Sequence, residues 1–129
     1  MGRDVEKFMF EGAALGKSLT VYVLLPGEGI QVSLFGGDMA HTGAVSAAGP
    51  DGQQNIEFPG HREGCITEKW ASALKAAGFC PAVVTAGIHY NVIDKDGIDA
   101  VLKAADGLLS ELLNTLKGRH CSGDSKQGI

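Results

Sequence analysis

The sequence predicts an α+β fold in which two helices pack on one face of a mainly antiparallel sheet, in the order β-β-β-β-α-β-α. Apolar residues alternate with polar or small ones up to residue 58, as they do in strands that bury one face. Beyond that point, two segments have the helical period, and a short apolar run lies between them. We therefore expect one domain over residues 1–118 and a disordered tail over residues 119–129.

Four strands are expected in the first half of the chain. "SLTVYVLL" (18–25) is rich in β-branched and aromatic residues, and "IQVSLF" (30–35) alternates strictly, so these two segments predict a hairpin. "HTGAVSAA" (41–48) resumes the alternation after a glycine turn, and "NIEF" (55–58) follows a second turn. Together they predict an antiparallel meander.

The remaining elements follow from a change of period. Helical spacing predicts a first helix that begins between Arg62 and Thr67 and ends at Gly78. The run "PAVVTAGIHY" (81–90) is apolar enough for a central strand. Asp94 is expected to cap a longer helix. The apolar stripe of that helix consists of Ile98, Val101, Leu102, Ala105, Leu109, Leu112, Leu113 and Leu116.

Charge and composition exclude several classes of protein. The net charge is −4 and no segment concentrates lysine and arginine, which argues against nucleic-acid binding. The acidic N-terminal segment does not resemble a signal peptide, and no apolar run is long enough for a membrane span, so we expect a cytoplasmic protein without membrane contact. The wide leucine face of the last helix, or the uncovered sheet face, predicts a homo-oligomer.

The first candidate binding segment is "GGDMAH", which contains Gly36, Gly37, Asp38 and His41. Glycines allow positive φ and close approach of the backbone to a ligand, while the aspartate and the histidine supply an acceptor and a titratable imidazole. The alternative is an ordinary glycine turn in which Asp38 bonds its own backbone and His41 lies on the surface.

The second candidate is "FPGHREG", which contains Gly60, His61, Arg62 and Glu63 at the expected start of the first helix. Free N–H groups at a helix N-terminus favour phosphate or carboxylate, and an arginine can bind the same anion through two hydrogen bonds. The glycines do not form a dinucleotide or Walker motif. In the alternative interpretation the glutamate complements the helix dipole and the other two side chains are solvated.

His89 is the third candidate, because it ends the expected central strand just before a helix. A structural role is the alternative for a single histidine. If the sheet brings all three segments to one edge, His41, His61 and His89 could bind a transition metal such as iron, a phosphorylated ligand, or act in acid–base chemistry. The common hydrolytic motifs are absent from the sequence.

The order "GGDMAHTGAVS", "PGHREGCITEKWASAL" and "VVTAGIHYN" resembles the small prenylated-flavin chaperone family. These proteins are the accessory subunits D of UbiD-type aromatic acid decarboxylases such as gallate decarboxylase. The resemblance implies that the chain binds reduced prenylated flavin mononucleotide (FMN) and hands it to the decarboxylase. It further implies a binding protein rather than an enzyme, with a flavin prenyltransferase as a second partner.

A flavin mononucleotide needs an anion site for its phosphate and flat apolar walls for its rings, and the candidate residues could supply both. Arg62 and the helix start would bind the flavin phosphate. The flat apolar walls would come from Phe35, Phe58, Trp70 and Tyr90. Two other functions remain open, namely a metal-dependent lyase or hydrolase that uses the histidines, and a structural subunit of a decarboxylase complex that needs neither cofactor nor metal.

Overall fold

Six strands and two helices make up the described part of the chain, residues 5–119 of a computed structural model. The α+β class and the succession of strands, helix, strand and helix are confirmed, and one further strand, β1, precedes those expected. The expected tail lies outside the described residues apart from Arg119. The elements are β1 (Glu6–Ala14), β2 (Lys17–Leu25), β3 (Ile30–Gly37), β4 (Met39–Gly49), β5 (Gly52–Glu57), α1 (Gly64–Ala76), β6 (Ala82–His89) and α2 (Lys95–Leu116).

The sheet has the strand order β1-β2-β3-β6-β4-β5. β3 and β6 are parallel, and every other pair is antiparallel. The expected continuous meander is therefore wrong at one point, because β6 lies between β3 and β4. Small or β-branched apolar residues fill the helix-facing side of β6, and Ala82, Val84 and Ala86 are fully buried there. Such a strand is most stable at the centre of a sheet, with neighbours on both edges.

Both helices cover the same face of the sheet. Asp94 caps α2 as expected, and its Oδ1 accepts a hydrogen bond of 2.8 Å from the Gly97 amide. Ser46 of β4 donates to Thr67 of α1 across a buried contact of 2.8 Å. The largest fully buried side chains in this layer include Leu19, Val21, Val23, Ile30, Leu34, Trp70, Leu74, Val84, Leu112 and Leu116.

The leucine face of α2 is covered mostly within the same chain, since Leu108, Leu109, Leu112 and Leu116 are buried. The opposite face of the sheet carries no helix in the described residues, and Tyr22 on it is half exposed. The homo-oligomer stays a prediction. No helix among residues 5–119 has both the length and the apolarity needed to cross a membrane.

The parallel pairing of β3 with β6 determines where the candidate residues meet. In this register Gly37 at the end of β3 lies opposite His89 at the end of β6. β4 begins at the same edge, with Met39 also opposite His89. The ends of two strands and the start of a third therefore converge, as the interpretation of the three candidate segments required.

Candidate functional site

The three candidate segments meet at one edge of the sheet, which we call the site edge (residues 37–43, 60–63 and 87–90). The turn from β3 into β4 is held by a short hydrogen bond of 2.6 Å from the Asp38 amide to the His89 carbonyl. Gly37 has a φ of 84°, and a side chain there would meet the backbone of His89. Glycine is therefore required at this position for the turn to lie against β6.

A bulge in β4 places His41. Ala40 pairs with Ile88 and Ala44 pairs with Ala86, so the three residues 41–43 oppose the single residue Gly87. A Cβ atom on Gly87 would collide with the carbonyl oxygen of His41. Bulges bend a strand and redirect its side chains, and this one directs the imidazole of His41 toward the start of α1.

The buried partner of His41 is Glu63. Its Oε2 lies 2.7 Å from Nε2 of His41 and accepts a hydrogen bond of 2.9 Å from the Ile88 amide. The other carboxylate oxygen, Oε1, is buried and has no hydrogen-bond partner. Gly43 makes room for the carboxylate, because any Cβ at that position would collide with Oε1. The side chain is thus enclosed by β4, β6 and the imidazole.

Glu63 directly precedes α1, yet its side chain makes no capping hydrogen bond to that helix. Glu57 caps the helix instead, since its Oε2 accepts a hydrogen bond of 2.9 Å from the Gly64 amide. The interpretation of Glu63 as a residue that merely complements the helix dipole therefore misses its main contacts, which are with β4 and β6.

The other two histidines differ in their distance from this pair. The ring of His61 lies 4.2 Å from that of His41, measured between centroids, at an interplanar angle of 72°. The ring of His89 lies 5.9 Å from that of His41, and its Nε2 is 3.2 Å from Oδ1 of Asn91. Ligand atoms of His41, His61 and Glu63 all lie within 4.8 Å of one another.

A cavity of about 260 Å³ opens at the site edge. We call the part lined by the three histidines, Arg62 and Glu63 the polar end, and the part lined by Ile93 and by the first turns of α2 the aliphatic wall. Ile93, Ile98 and Leu102 on this wall are about two-fifths exposed. The lining residues are His41, Gly60, His61, Arg62, Glu63, Ile66, Ile88, His89, Tyr90, Ile93, Ile98, Val101 and Leu102.

The glycines of the first candidate segment do not line this cavity. Gly36 and Gly37 line a shallower cavity of about 440 Å³ on the uncovered sheet face, together with Tyr22 and Phe35. Asp38 is engaged in structural contacts, because its Oδ2 accepts a hydrogen bond of 2.9 Å from the Asn91 amide and its Oδ1 lies 3.2 Å from Nζ of Lys17. The hydrogen bond from that amide and the lysine hold the pKa of Asp38 below its usual value.

The four aromatic residues expected to form flat walls are not brought together. Trp70 is in the core and 1% exposed, and Phe35 contacts Tyr22 on the uncovered sheet face. Tyr90 lines the first cavity, and its hydroxyl donates a hydrogen bond of 2.7 Å to the Ala14 carbonyl. Burial raises the pKa of this phenol. The wall of the cavity is aliphatic more than aromatic.

Two glycines that make room for the site were not among the residues expected from the sequence. Gly87 interrupts an otherwise apolar strand, and a glycine at such a position is typical of a bulge or a close approach of backbones. Gly43 is a similar glycine inside β4, where a side chain would collide with the Glu63 carboxylate. The sequence indicated the aliphatic wall formed by Ile93, Ile98 and Leu102 less clearly than it indicated the glycines. The spacing of these residues is also that of an ordinary helix start that faces the core.

Comparison with known proteins gives one family and one fold. A family model described as a prenylated flavin chaperone LpdD-like domain matches residues 14–117. No curated protein matches the sequence. A chain in the crystal structure of a chaperone complex for yeast 20S proteasome assembly superposes with a TM-score of 0.56 at 17% identity, covering 88% of this chain and 95% of that chain. At this identity the likeness concerns the fold alone.

Proposed function

Because the chain belongs to the LpdD-like prenylated flavin chaperone family, we propose that it holds reduced prenylated FMN at the site edge and delivers it to a UbiD-type decarboxylase. The observation that carries the proposal is the cavity, which joins a polar end to an aliphatic wall. A prenylated flavin nucleotide matches this arrangement, because it has a charged phosphate at one end and an apolar prenylated ring system at the other. A chaperone family indicates a non-catalytic accessory protein.

Arg62 and His61 are the groups proposed for the phosphate. Both line the polar end of the cavity, and the exposed guanidinium can offer two parallel hydrogen bonds to phosphate oxygens. The first free amide of α1, that of Gly64, already donates to Glu57. The phosphate would therefore depend more on these two side chains than on the helix start.

Ile93, Ile98 and Leu102 are proposed to contact the prenylated ring system. These side chains remain partly exposed in the free protein, although they line the cavity. Covering them with an apolar ligand would contribute about 25 cal/mol for each Å² removed from water. Since the prenyl group enlarges the apolar part of the flavin, this wall would favour the prenylated form over plain FMN.

The size of the cavity fits a carrier that must release its ligand. Its volume of about 260 Å³ lies below the roughly 300–1,000 Å³ of typical small-molecule pockets. A flavin nucleotide bound there would extend beyond the rim. The protruding part would stay accessible to a receiving decarboxylase, and to a flavin prenyltransferase that supplies the cofactor.

Anaerobic titration with reduced prenylated FMN, followed by absorbance, tests the holding function. We expect saturable binding that is stronger than binding of reduced FMN. His41→Ala and His61→Ala are each expected to weaken binding at least about tenfold, or about 1.4 kcal/mol, while circular dichroism shows a folded protein. Unchanged affinity in both variants would remove the site edge as the binding site.

Arg62→Ala separates the phosphate contact from the rest of the site. We expect this variant to lose affinity for reduced prenylated FMN by about 1.5–3 kcal/mol, the range for hydrogen bonds to charged groups. Its affinity for the dephosphorylated prenylated flavin should equal that of the wild-type protein. Lys69→Ala, on the exposed side of α1 with its ion pair to Asp106, is the matched control. Equal losses with both ligands would show that Arg62 does not bind the phosphate.

Delivery needs a separate experiment with an apo-decarboxylase. The loaded protein should activate the apo-enzyme faster than the same concentration of free reduced cofactor, and His61→Ala should reduce this advantage. Equal activation rates for loaded protein and free cofactor would contradict delivery. Activation by the cofactor-free chain would instead favour a structural subunit.

A further inference from the structure

His41, His61 and Glu63 form a compact set of ligand atoms at the polar end of the cavity. We propose that these three residues bind one divalent transition-metal ion, with the remaining coordination positions open to the cavity. This goes beyond the proposed holding of a flavin, because it concerns the protein without any organic ligand. The sequence predicted His41, His61 and His89 as metal ligands, and in the present proposal Glu63 replaces His89.

The distances suit a metal. Each residue offers one ligand atom, and these atoms lie within 4.8 Å of one another. Two ligands that are each about 2.0–2.2 Å from an ion lie roughly 3–4 Å apart, so small side-chain rotations suffice. Two imidazoles with one carboxylate are a donor set that suits zinc, iron(II) and related ions. His89 is set apart, because its Nε2 lies 3.2 Å from the Asn91 side chain.

The buried carboxylate of Glu63 points to a cation independently of these distances. Glu63 is 5% exposed, and its Oε1 has no hydrogen-bond partner. Leaving a carboxylate oxygen buried and unpaired is unfavourable unless a charge or a ligand compensates it. Among the described residues, the contacts of its carboxylate are the imidazole of His41 and the amide of Ile88. A divalent ion between the two side chains would balance the carboxylate charge.

The backbone around the carboxylate is arranged to admit it. Side chains at Gly43 and Gly87 would collide with the Glu63 carboxylate and with the His41 backbone, respectively. The β4 bulge opposite Gly87 orients His41, and the Ile88 amide fixes Oε2. Two of the three ligands, His41 and Glu63, are thus held in place by β4 and β6, while His61 lies in the loop before α1 with its ring 4.2 Å from that of His41. Held ligands lose less conformational entropy on metal binding.

Three protein ligands leave open coordination positions, as in catalytic and substrate-binding metal sites rather than closed structural ones. The cavity lies on the open side, because His41, His61 and Glu63 all line it. An ion there would accept an oxygen or nitrogen donor from whatever molecule occupies the cavity. Cys65 is exposed and lies outside the set of ligand atoms.

The test uses the full chain, stripped with a chelator and free of flavin. Zinc is titrated by calorimetry, and cobalt(II) by its visible absorption, which reports the coordination number. We expect one ion per chain and a cobalt spectrum of a four- or five-coordinate site. His61→Ala and Glu63→Gln should weaken zinc binding by more than the about 10–100-fold that follows loss of an outer-shell partner.

His89→Ala is the matched control, since this histidine lines the same cavity but stands apart from the ligand atoms. It should keep both the affinity and the cobalt spectrum. His61 is half buried in a loop, so His61→Ala tests the proposal even if Glu63→Gln unfolds, which circular dichroism would reveal. Equal binding in all variants would mean adventitious ions only and would overturn the proposal. A loss in His89→Ala as large as that in His61→Ala would overturn the proposed set of three ligands. Flavin titrations of the chelator-treated protein separately test the holding function.

Discussion

The two halves of β4 show how one strand serves two purposes. Residues 44–48 pair in continuous register with β5 and β6, and Ala44, Ser46 and Ala48 are fully buried under α1. In the first half, residues 39 and 40 still pair with β6, and residues 41–43 form the bulge that interrupts this pairing. Regular pairing maximises packing, whereas the interruption redirects His41 into a cavity. The irregular half is therefore the part of β4 that reaches the candidate site.

β6 is likewise divided into a regular, buried part and a part that contacts the site. Residues 82–86 bury alternate small side chains in the core, whereas Gly87, Ile88 and His89 contact the bulge, Glu63 and the β3–β4 turn. We call the regular parts of β2, β3, β4 and β6 the packed region (residues 19–23, 30–34, 44–48 and 82–86). The comparison predicts that substitutions in the packed region lower stability alone, and that substitutions at the site edge alter ligand binding.

Leu34→Ala should give the largest effect, and it acts on stability alone. Leu34 is fully buried at the centre of the packed region, and such truncations cost about 2–5 kcal/mol through lost burial and a new cavity. Urea unfolding should show this loss, whereas anaerobic flavin titration of the still folded variant should show wild-type affinity. A large loss of affinity in the folded variant would break the division between the two regions.

Gly87→Ala should act on both properties. The new methyl group collides with the backbone of His41, so the bulge must shift, at a cost of about 1–3 kcal/mol. The displaced imidazole should weaken flavin binding as much as His41→Ala does. Gly107→Ala is the matched control, because open space surrounds this helical glycine and the change should stabilise α2 by up to about 1 kcal/mol. Wild-type flavin affinity in Gly87→Ala would contradict the role of the bulge.

Tyr90→Phe should have the smallest effect on stability, and part of that effect should depend on alkaline pH. Its hydroxyl donates to the Ala14 carbonyl, and burial raises its pKa in the folded protein. Above a pH of about 10, the ordinary pKa of tyrosine, the unfolded chain loses this proton before the folded one does, so stability falls as pH rises. Tyr90→Phe should cost about 0.5–1.5 kcal/mol at neutral pH and should flatten this alkaline decline. An unchanged alkaline slope in the variant would assign the decline to another group.

The packed region was predictable because it follows simple periods. Strict alternation in 30–35 and the helical stripe ending at Leu116 gave the correct class of fold and most of the element bounds. β1 was missed, since Gly12 and flanking charged residues weaken its alternation. The position of β6 was missed as well, because strand order depends on long-range pairing that no local pattern encodes.

The sequence indicated several residues that lie close together at the site edge, but not the contacts between them. Six of the nine residues expected to bind the cofactor line one cavity, namely His41, Gly60, His61, Arg62, Glu63 and His89. The enclosure of Glu63 depends on Gly43 and on the bulge opposite Gly87, which arise only when β4 meets β6. The aliphatic wall likewise requires α2 to lie beside the end of β6. These features are tertiary, so sequence spacing alone could not define them.

The most direct test of the central claim is an amide NMR titration of the isotopically labelled protein with reduced prenylated FMN under anaerobic conditions. We predict that the largest chemical-shift changes fall on residues 41–43, 60–63 and 87–90 and on the start of α2, while residues 44–48 and 82–86 change little. Changes centred on the uncovered sheet face around Tyr22 and Phe35, or no changes at saturating cofactor, would contradict the assignment of ligand binding to the site edge.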